Sequence, residues 1–385
     1  MAITPDQIVA RFKDRFQTDS PPTIYRAPGR VNLMGEHTDY NLGYVFPIAL
    51  NMACYTAIAP SHSHLLVHSH DFESDFEIAI EDIPRSKPRG DWSDYVLGVA
   101  QQLLAQNVPL TGADVYVWTT VPLGAGLSSS AALEISTAFA LLGSQPMDPL
   151  EIATVAQRAE SQFVGMPCGI MDQYTSVFGR AGEAVQIDCR SLEHEYVKLP
   201  GNLRIVAVNS MVKHQLGTSA YRERVAECHA AVEAIRAFEP HVESLRDVPV
   251  PMFERLQDSI PTTPRRRARH IISDSQRVLD LAAAARVANL DEMGRLFIAS
   301  HRSMQYDYEI SCDEVDFLVD TAIKIPGVYG ARMTGGGFGG CTVNLVQPEA
   351  VNAFQDQIAA AYQERYSILP AFYDCVPAAG AGRVE

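Results

Sequence analysis

The chain has 385 residues, long for one hydrophobic core, so two domains are expected; with 47% apolar and 20% charged residues it has the make-up of a folded globular protein, which excludes a disordered one. A formal charge of −15 excludes the lysine and arginine field that a nucleic-acid backbone requires. A small anion could still bind, given a local cradle of backbone amides and a divalent cation.

The N-terminal stretch MAITPDQIVARFKDRF has the spacing of an amphipathic helix and lacks the unbroken apolar core of a signal peptide. No run of about 18 uncharged apolar residues suggests a membrane span, so no membrane partner is expected. Next comes Arg26-Ala-Pro-Gly-Arg-Val-Asn-Leu-Met-Gly-Glu-His-Thr-Asp-Tyr-Asn41, which crowds Arg30, Glu36, His37 and Asp39 between apolar stretches. Such a set suits a hydroxyl-rich ligand, since carboxylates accept hydrogen bonds from hydroxyls. It equally suits a solvated polar loop.

Residues 44–59 and 113–122, rich in β-branched and aromatic side chains, predict strands. Between them, 91–106 has helical spacing at Tyr95, Leu97, Val99, Leu103 and Leu104. His62, His64, His68 and His70 have the spacing of metal ligands, yet straddle a turn and are not taken as a zinc site.

Pro122-Leu-Gly-Ala-Gly-Leu-Ser-Ser-Ser-Ala-Ala132 then leads into an apolar helix over 131–142. Gly124 and Gly126 let backbone approach an anion, and serines at a helix start add hydroxyls to free N–H groups whose dipole favours negative charge. The loop lacks the GK[ST] ending of a Walker A motif, and a glycine turn with a serine cap would read the same way.

A long helix is predicted over 149–164, followed by Gly169-Ile-Met-Asp-Gln173. Asp172, set among apolar residues, is a candidate base, or else a helix cap. Strands are expected near 184–189 and 203–209.

Beyond about residue 200 the pattern turns to alanine-rich helices, at 221–241 and 274–299, separated by a proline-bearing loop over 248–264. The basic run Arg265, Arg266, Arg267 and Arg269 reads as a solvated helix start. Met333-Thr-Gly-Gly-Gly-Phe-Gly-Gly-Cys341 allows close backbone approach, either to a ligand or to another backbone. The cysteines at 54, 168, 189, 228, 312, 341 and 375 form no CxxC pair, which fits reduced thiols and a cytoplasmic location.

Together these segments carry a resemblance. GRVNLMGEHTDYN resembles the galactokinase signature, PLGAGLSSSAALE the phosphate loop of the GHMP kinase superfamily, and GIMDQ and MTGGGFGGC resemble further motifs of that superfamily in the same order. Asn209–Arg224 is similar to another galactokinase segment.

The resemblance implies an α+β, two-domain GHMP kinase fold. Residues 1–200 would form an α/β domain with a mixed sheet, like domain 2 of ribosomal protein S5, and 201–385 a ferredoxin-like α+β domain, with the site between them. It implies that Asp172 is the catalytic aspartate with Arg30 beside it, and that Glu36, His37, Asp39, Gly169 and Tyr221 bind sugar. Gly124, Ala125, Gly126, Leu127, Ser128, Ser129 and Ser130 would cradle the triphosphate of ATP, Ser130 and Glu160 would hold Mg²⁺, and Trp92 would lie near the adenine.

The activity implied is transfer of the terminal phosphoryl group of ATP to the C1 hydroxyl of galactose, the first committed step of galactose use by the Leloir pathway, in a monomeric enzyme. Two rivals share these motifs: a kinase for N-acetylgalactosamine, arabinose or mevalonate, and a non-catalytic sensor of galactose and ATP. Met34 stands where isoleucine is usual and Leu42 is bulky for its place, so both are expected to tune which sugar fits. Cys312-Asp313 stands where proline often follows the cysteine.

Overall fold

A computed structural model describes residues 3–384, apart from 62 and 214–216, so His62 and residues 214–216 of the segment 209–224 lie outside the described residues. Helix α1 (Pro5–Phe16) opens on a capping box, in which the Thr4 hydroxyl accepts from the Gln7 N–H and the Gln7 side chain accepts from the Thr4 N–H. Strands β1 (Thr23–Asn32), β2 (Tyr44–Val45), β3 (Pro47–Pro60), β4 (His64–Ser69) and β5 (Ser74–Ala79) follow, then α2 (Ser93–Ala105) and β6 (Ala113–Thr119). Helices α3 (Ser129–Leu142), α4 (Pro149–Arg158) and α5 (Met171–Phe178) come next, before β7 (Glu183–Asp188), β8 (Glu193–Lys198) and β9 (Arg204–Lys213).

The remaining chain is helical at first: α6 (Gly217–Arg236), α7 (Val250–Leu256), α8 (Thr262–Arg286), α9 (Leu290–Ser303) and α10 (Asp313–Ala322). It ends with β10 (Val328–Thr334), β11 (Gly339–Val346), α11 (Val351–Tyr366), β12 (Ala371–Asp374) and β13 (Gly382–Arg383).

The first sheet has the order β13-β1-β3-β6-β4-β5 and is mixed, because β4 runs parallel to β6 while the other pairs are antiparallel. Both its faces are covered, since successive residues of a strand point opposite ways. Thr56 meets Ser136 of α3 at 2.8 Å, while its neighbour Ala57 joins Ile8 and Phe12 of α1 in one apolar cluster. The second sheet, β10-β11-β9-β12, is antiparallel with helices crossing between β9 and β10 and between β11 and β12, which is the ferredoxin-like arrangement. A small sheet, β2-β7-β8, lies beside them.

The largest apolar cluster joins Val31, Phe46 and Val115 of the first half to Val278, Met293, Phe297 and Val343 of the second. The chain also crosses the division at 200: Leu50 bridges Pro377, and β13 pairs with β1 through Tyr25–Arg383 and Arg26–Gly382. The halves therefore share a core, and polar groups at their junction are held from both sides.

Three local expectations change. The helix expected over 149–164 is α helix only to Arg158, after which Ala159–Val164 forms a wider π turn ending at Gly165, whose φ is 83°. The proline-bearing loop over 248–264 contains α7, with Pro251 in its first turn, where a missing N–H costs nothing. Arg267 is buried rather than solvated, because its guanidinium reaches Glu227 at 2.7 Å, Glu309 at 2.8 Å and the Asp307 carbonyl at 2.7 Å. Arg265, Arg266 and Arg269 pair with Asp258, Glu309 and Asp307.

Candidate active site

A cavity of about 160 Å³ opens at the junction of the halves, lined by Arg30, Glu36, His37, Asp39, Glu160, Met166, Cys168, Gly169, Met171, Asp172, Tyr221, Gly335 and Gly336. That is below the roughly 300–1,000 Å³ of drug-sized pockets, so the lining suits one small polar molecule. All seven of the sequence-derived sugar-site and catalytic residues, and Glu160, meet here although they are scattered over positions 30–221.

Asp172 is the second residue of α5, yet it does not cap that helix. Its carboxylate accepts two hydrogen bonds from Arg30, from Nε and from Nη2, each 2.8 Å long, and a third from the Ser128 hydroxyl. Bidentate pairing of this kind fixes orientation as well as charge. Arg30 in turn sits near the end of β1 and ties down the glycine loop, donating from Nη1 to the Gly126 carbonyl at 2.6 Å and from its backbone N–H to the Leu127 carbonyl at 3.1 Å.

Those bonds engage loop carbonyls, while the N–H groups that open α3 have no intrahelical partners. Ser128 precedes α3 with φ at 60° and makes no capping bond, since its hydroxyl turns to Asp172. Gly124 and Gly126 have positive φ, and the side chains of Ala125 and Leu127 are buried, so this loop faces the cleft with backbone and serine hydroxyls. Across from it the second glycine-rich loop comes within backbone contact: a Cβ on Gly335 would stand 3.1 Å from the Gly126 carbonyl oxygen. Of the two readings of those glycines, backbone packing against the first loop is thus realised.

The sugar-loop residues are held from beneath. Glu36 is buried and paired with Arg332 of β10; its other oxygen accepts from the Thr334 hydroxyl at 3.1 Å and from the Gly335 N–H at 3.2 Å. Arg332, itself buried, also donates to the Leu33 carbonyl at 2.6 Å. His37 has φ at 61°; its Nδ1 lies 2.8 Å from the Tyr40 hydroxyl and its Nε2 3.2 Å from the Gly336 carbonyl. Asp39 packs so closely on Gly169 that a Cβ there would fall 2.1 Å from a carboxylate oxygen. Burial, and secondarily the charge of Asp172, push the Asp39 carboxyl up to about 6. The Tyr221 ring lies over His37 with centroids 4.7 Å apart.

Glu160 hangs from the π turn. Its Oε2 accepts from Gln173 at 2.7 Å, and the same Gln173 amide donates to Glu134 at 2.9 Å. Burial first, and the charge of Asp172 second, raise Glu160 to about 6, while a hydrogen bond from Ser130 opposes them. Ser130 and Glu160 offer hard oxygen donors beside the helix start, a donor set that fits Mg²⁺.

Sequence reasoning missed Arg332, Glu134 and the bridging role of Gln173. Glu134, fully buried within the otherwise uncharged stretch ALEISTAFALL, carried the one visible signal, because a lone carboxylate on such a helix must have a reason to be there.

Other expectations fall outside the cavity. Trp92 is not among its lining residues; it stands at the start of α2, its indole N–H 2.9 Å from the Ser74 hydroxyl and its ring stacked on Phe72 at 6.0 Å. Met34 is buried in the core and Leu42 is on the surface, so neither lines the cavity. His68 bonds to Asp75 and His70 to Tyr116, and no group of three or more metal-ligating side chains stands together among the described residues.

The chain resembles known proteins along most of its length. A galactokinase galactose-binding signature matches residues 10–60, the GHMP kinase N-terminal domain matches 94–180, and the GHMP kinase C-terminal model matches 281–364. The chain is 42% identical over 379 residues to a galactokinase of Roseiflexus sp., covering 97% of this chain and 96% of that protein. With the human galactokinase it shares 41% identity over 381 residues, 96% and 94% of the two chains. Among solved structures, Lactococcus lactis galactokinase complexed with galactose superposes with a TM-score of 0.94 at 31% identity, covering 98% of this chain and 99% of that one. Methanococcus jannaschii mevalonate kinase has the same fold at a TM-score of 0.66 and 19% identity, covering 94% and 99% of the two chains. With its signature, its full-length relatives and its three-dimensional structure in accord, the chain belongs to the galactokinase family of GHMP kinases.

Proposed function

We infer that this protein transfers the terminal phosphoryl group of MgATP to the C1 hydroxyl of galactose, giving galactose 1-phosphate and ADP. One observation carries the reading: Asp172, gripped by Arg30 and Ser128, forms the wall of a small cavity whose other walls are Glu36, His37, Asp39, Gly169 and Tyr221.

Sugar hydroxyls need acceptors at fixed places, and Asp39 supplies one that is charged above about pH 6. Asp172 accepts the proton of the attacking C1 hydroxyl; with Arg30 and Ser128 holding it on both oxygens, the carboxylate is oriented before substrate arrives. Arg30, bonded to both the carboxylate and the glycine loop, places a positive charge where the migrating phosphoryl group develops negative charge. The N–H groups at the start of α3 and the hydroxyls of Ser129 and Ser130 hold the polyphosphate. Ser130 and Glu160 would hold Mg²⁺, which would supply charge neutralisation to the phosphates when bound. Trp92 sits near the adenine in this reading.

The seven cysteines are all free, which supports a reducing, cytoplasmic setting. In this reading the chain acts as a monomer. No helix among the described residues is long and apolar enough to cross a membrane.

The test is ADP release from the full-length protein with galactose, N-acetylgalactosamine, arabinose and mevalonate. Galactose is the expected substrate, and Asp172→Asn abolishes turnover while nucleotide binding persists. Near-normal turnover of that variant sinks the base assignment; preference for another acceptor sinks the substrate.

A further inference from the structure

Behind the sugar cavity lies a buried polar chain that the reaction as described does not use. It starts at Cys228 on α6, whose sulfur is 3.2 Å from the Tyr308 hydroxyl. Tyr308, at the end of a π turn formed by Met304–Tyr308, is fully buried and reaches the Tyr40 hydroxyl at 2.7 Å. Tyr40 reaches His37 Nδ1 at 2.8 Å, and His37 Nε2 faces the Gly336 carbonyl at 3.2 Å.

The direction of every bond in this chain follows from its last member. A carbonyl oxygen can only accept, so His37 Nε2 carries the hydrogen. The ring is neutral, because burial pushes its pKa down to about 3. A neutral ring has one N–H, so Nδ1 is a bare lone pair and must accept from the Tyr40 O–H. The Tyr40 oxygen is then free to accept, and the Tyr308 O–H points to it. The Tyr308 oxygen in turn accepts from the Cys228 thiol, which burial keeps protonated by raising its pKa to about 11. The reverse orientation would set the Nε2 lone pair against the Gly336 oxygen.

We propose that Tyr40 and Tyr308 are positioning residues that lock His37 in the Nε2–H tautomer, so that it presents a donor, not an acceptor, at the edge of the sugar cavity. The consequence is a selection rule. A ligand oxygen approaching Nε2 must accept a hydrogen bond, and in doing so it competes with Gly336 of the glycine-rich loop. Tyr40, the middle of the chain, is the most informative position, because removing its hydroxyl frees Nδ1 from its donor without touching the ring stack around His37. The spectroscopic part of this proposal is independent of the function; only its kinetic part rests on the galactose reading.

The experiment uses the full-length protein labelled with ¹⁵N-histidine and examined without ligand by two-bond ¹H–¹⁵N correlation spectra, with His37→Gln identifying the His37 signals. The expected wild-type pattern is a single tautomer protonated on Nε2. Tyr40→Phe moves that pattern toward a tautomer mixture. It raises KM for galactose about fivefold, the size of one lost neutral hydrogen bond, with KM for ATP unchanged. Tyr308→Phe gives a smaller shift in the same direction. A wild-type His37 protonated on Nδ1 overturns the proposal, whatever the variants do. So does a Tyr40→Phe protein with an unmoved spectrum or an unchanged KM for galactose. A protein inactive on galactose but showing the expected spectra would instead refute the function alone.

Discussion

Gly169→Ala isolates the sugar site from the rest of the fold. The φ of Gly169 lies outside the left-handed region, so alanine meets no backbone penalty there; what it meets is Asp39, with an added Cβ 2.1 Å from Oδ2, 2.3 Å from Cγ and 2.8 Å from Cβ. Ordinary contact begins near 3.4 Å, so rotating the carboxylate aside does not suffice, and the turn carrying Asp39 must shift as well. Overpacking of this kind costs about 1–3 kcal/mol. Displacing an acceptor by that amount weakens galactose binding by roughly 5- to 150-fold, at about 1.4 kcal/mol per tenfold. Initial-rate assays over a range of galactose concentrations at saturating ATP measure it, with thermal unfolding run in parallel. The expected result is a large rise in KM for galactose, little change in KM for ATP, and a destabilisation that shrinks when Asp39→Ala is combined with it. An unchanged KM for galactose, or a stability loss equally large in the Asp39→Ala background, would refute the contact.

Three further outcomes follow from the same geometry. Arg332→Met leaves Glu36 buried without its cation and costs about 3–5 kcal/mol in urea unfolding; adding Glu36→Gln recovers part of that loss, and strict additivity would show that the two do not form a working pair. Because burial and Asp172 raise Asp39 to about 6, the charged acceptor is present above that pH and lost below it. KM for galactose therefore climbs as pH falls through about 6, and Asp39→Asn flattens that part of the profile. Ser128 holds a left-handed φ of 60°, a strain of about 1–2 kcal/mol for a residue with a Cβ. Ser128→Gly thus unfolds at higher denaturant than Ser128→Ala, while both lose the hydroxyl on Asp172 and show the same drop in kcat; equal midpoints would contradict the strain.

The sugar loop and the first glycine loop were legible because their chemistry is local: charges or glycines crowded into ten residues announce themselves whatever the chain does elsewhere. The same holds for the strands at 44–60 and 113–119, whose composition alone marks them. What stayed hidden depends on partners far away in the chain. Arg332 gives no sign in sequence that it answers Glu36, 296 positions earlier, and Arg267 looks like one of four surface arginines until Glu227 and Glu309 close around it. Asp172 is excluded as a cap only by geometry, because its carboxylate turns to Arg30 and Ser128, whereas in sequence a cap and a base occupy the same place at a helix start. Met34 and Leu42 lie outside the cavity lining, because sequence proximity to the sugar loop says nothing about which way a side chain points.

The pairing of β13 with β1 bears on how the molecule comes to exist. Arg26 reaches the Ala379 carbonyl across 353 positions, and the edge of the first sheet is closed by residues that a ribosome makes long after the strands they complete. Until then β1 presents unpaired backbone to solvent or to a neighbouring nascent chain, the situation in which sheets recruit the wrong partner. Loss of the last ten residues would leave every side chain that lines the cavity encoded and the sheet beneath Arg30 unfinished. Synthesis at low temperature or with a chaperone present would then raise the yield of active protein far more than it changes the activity of each molecule.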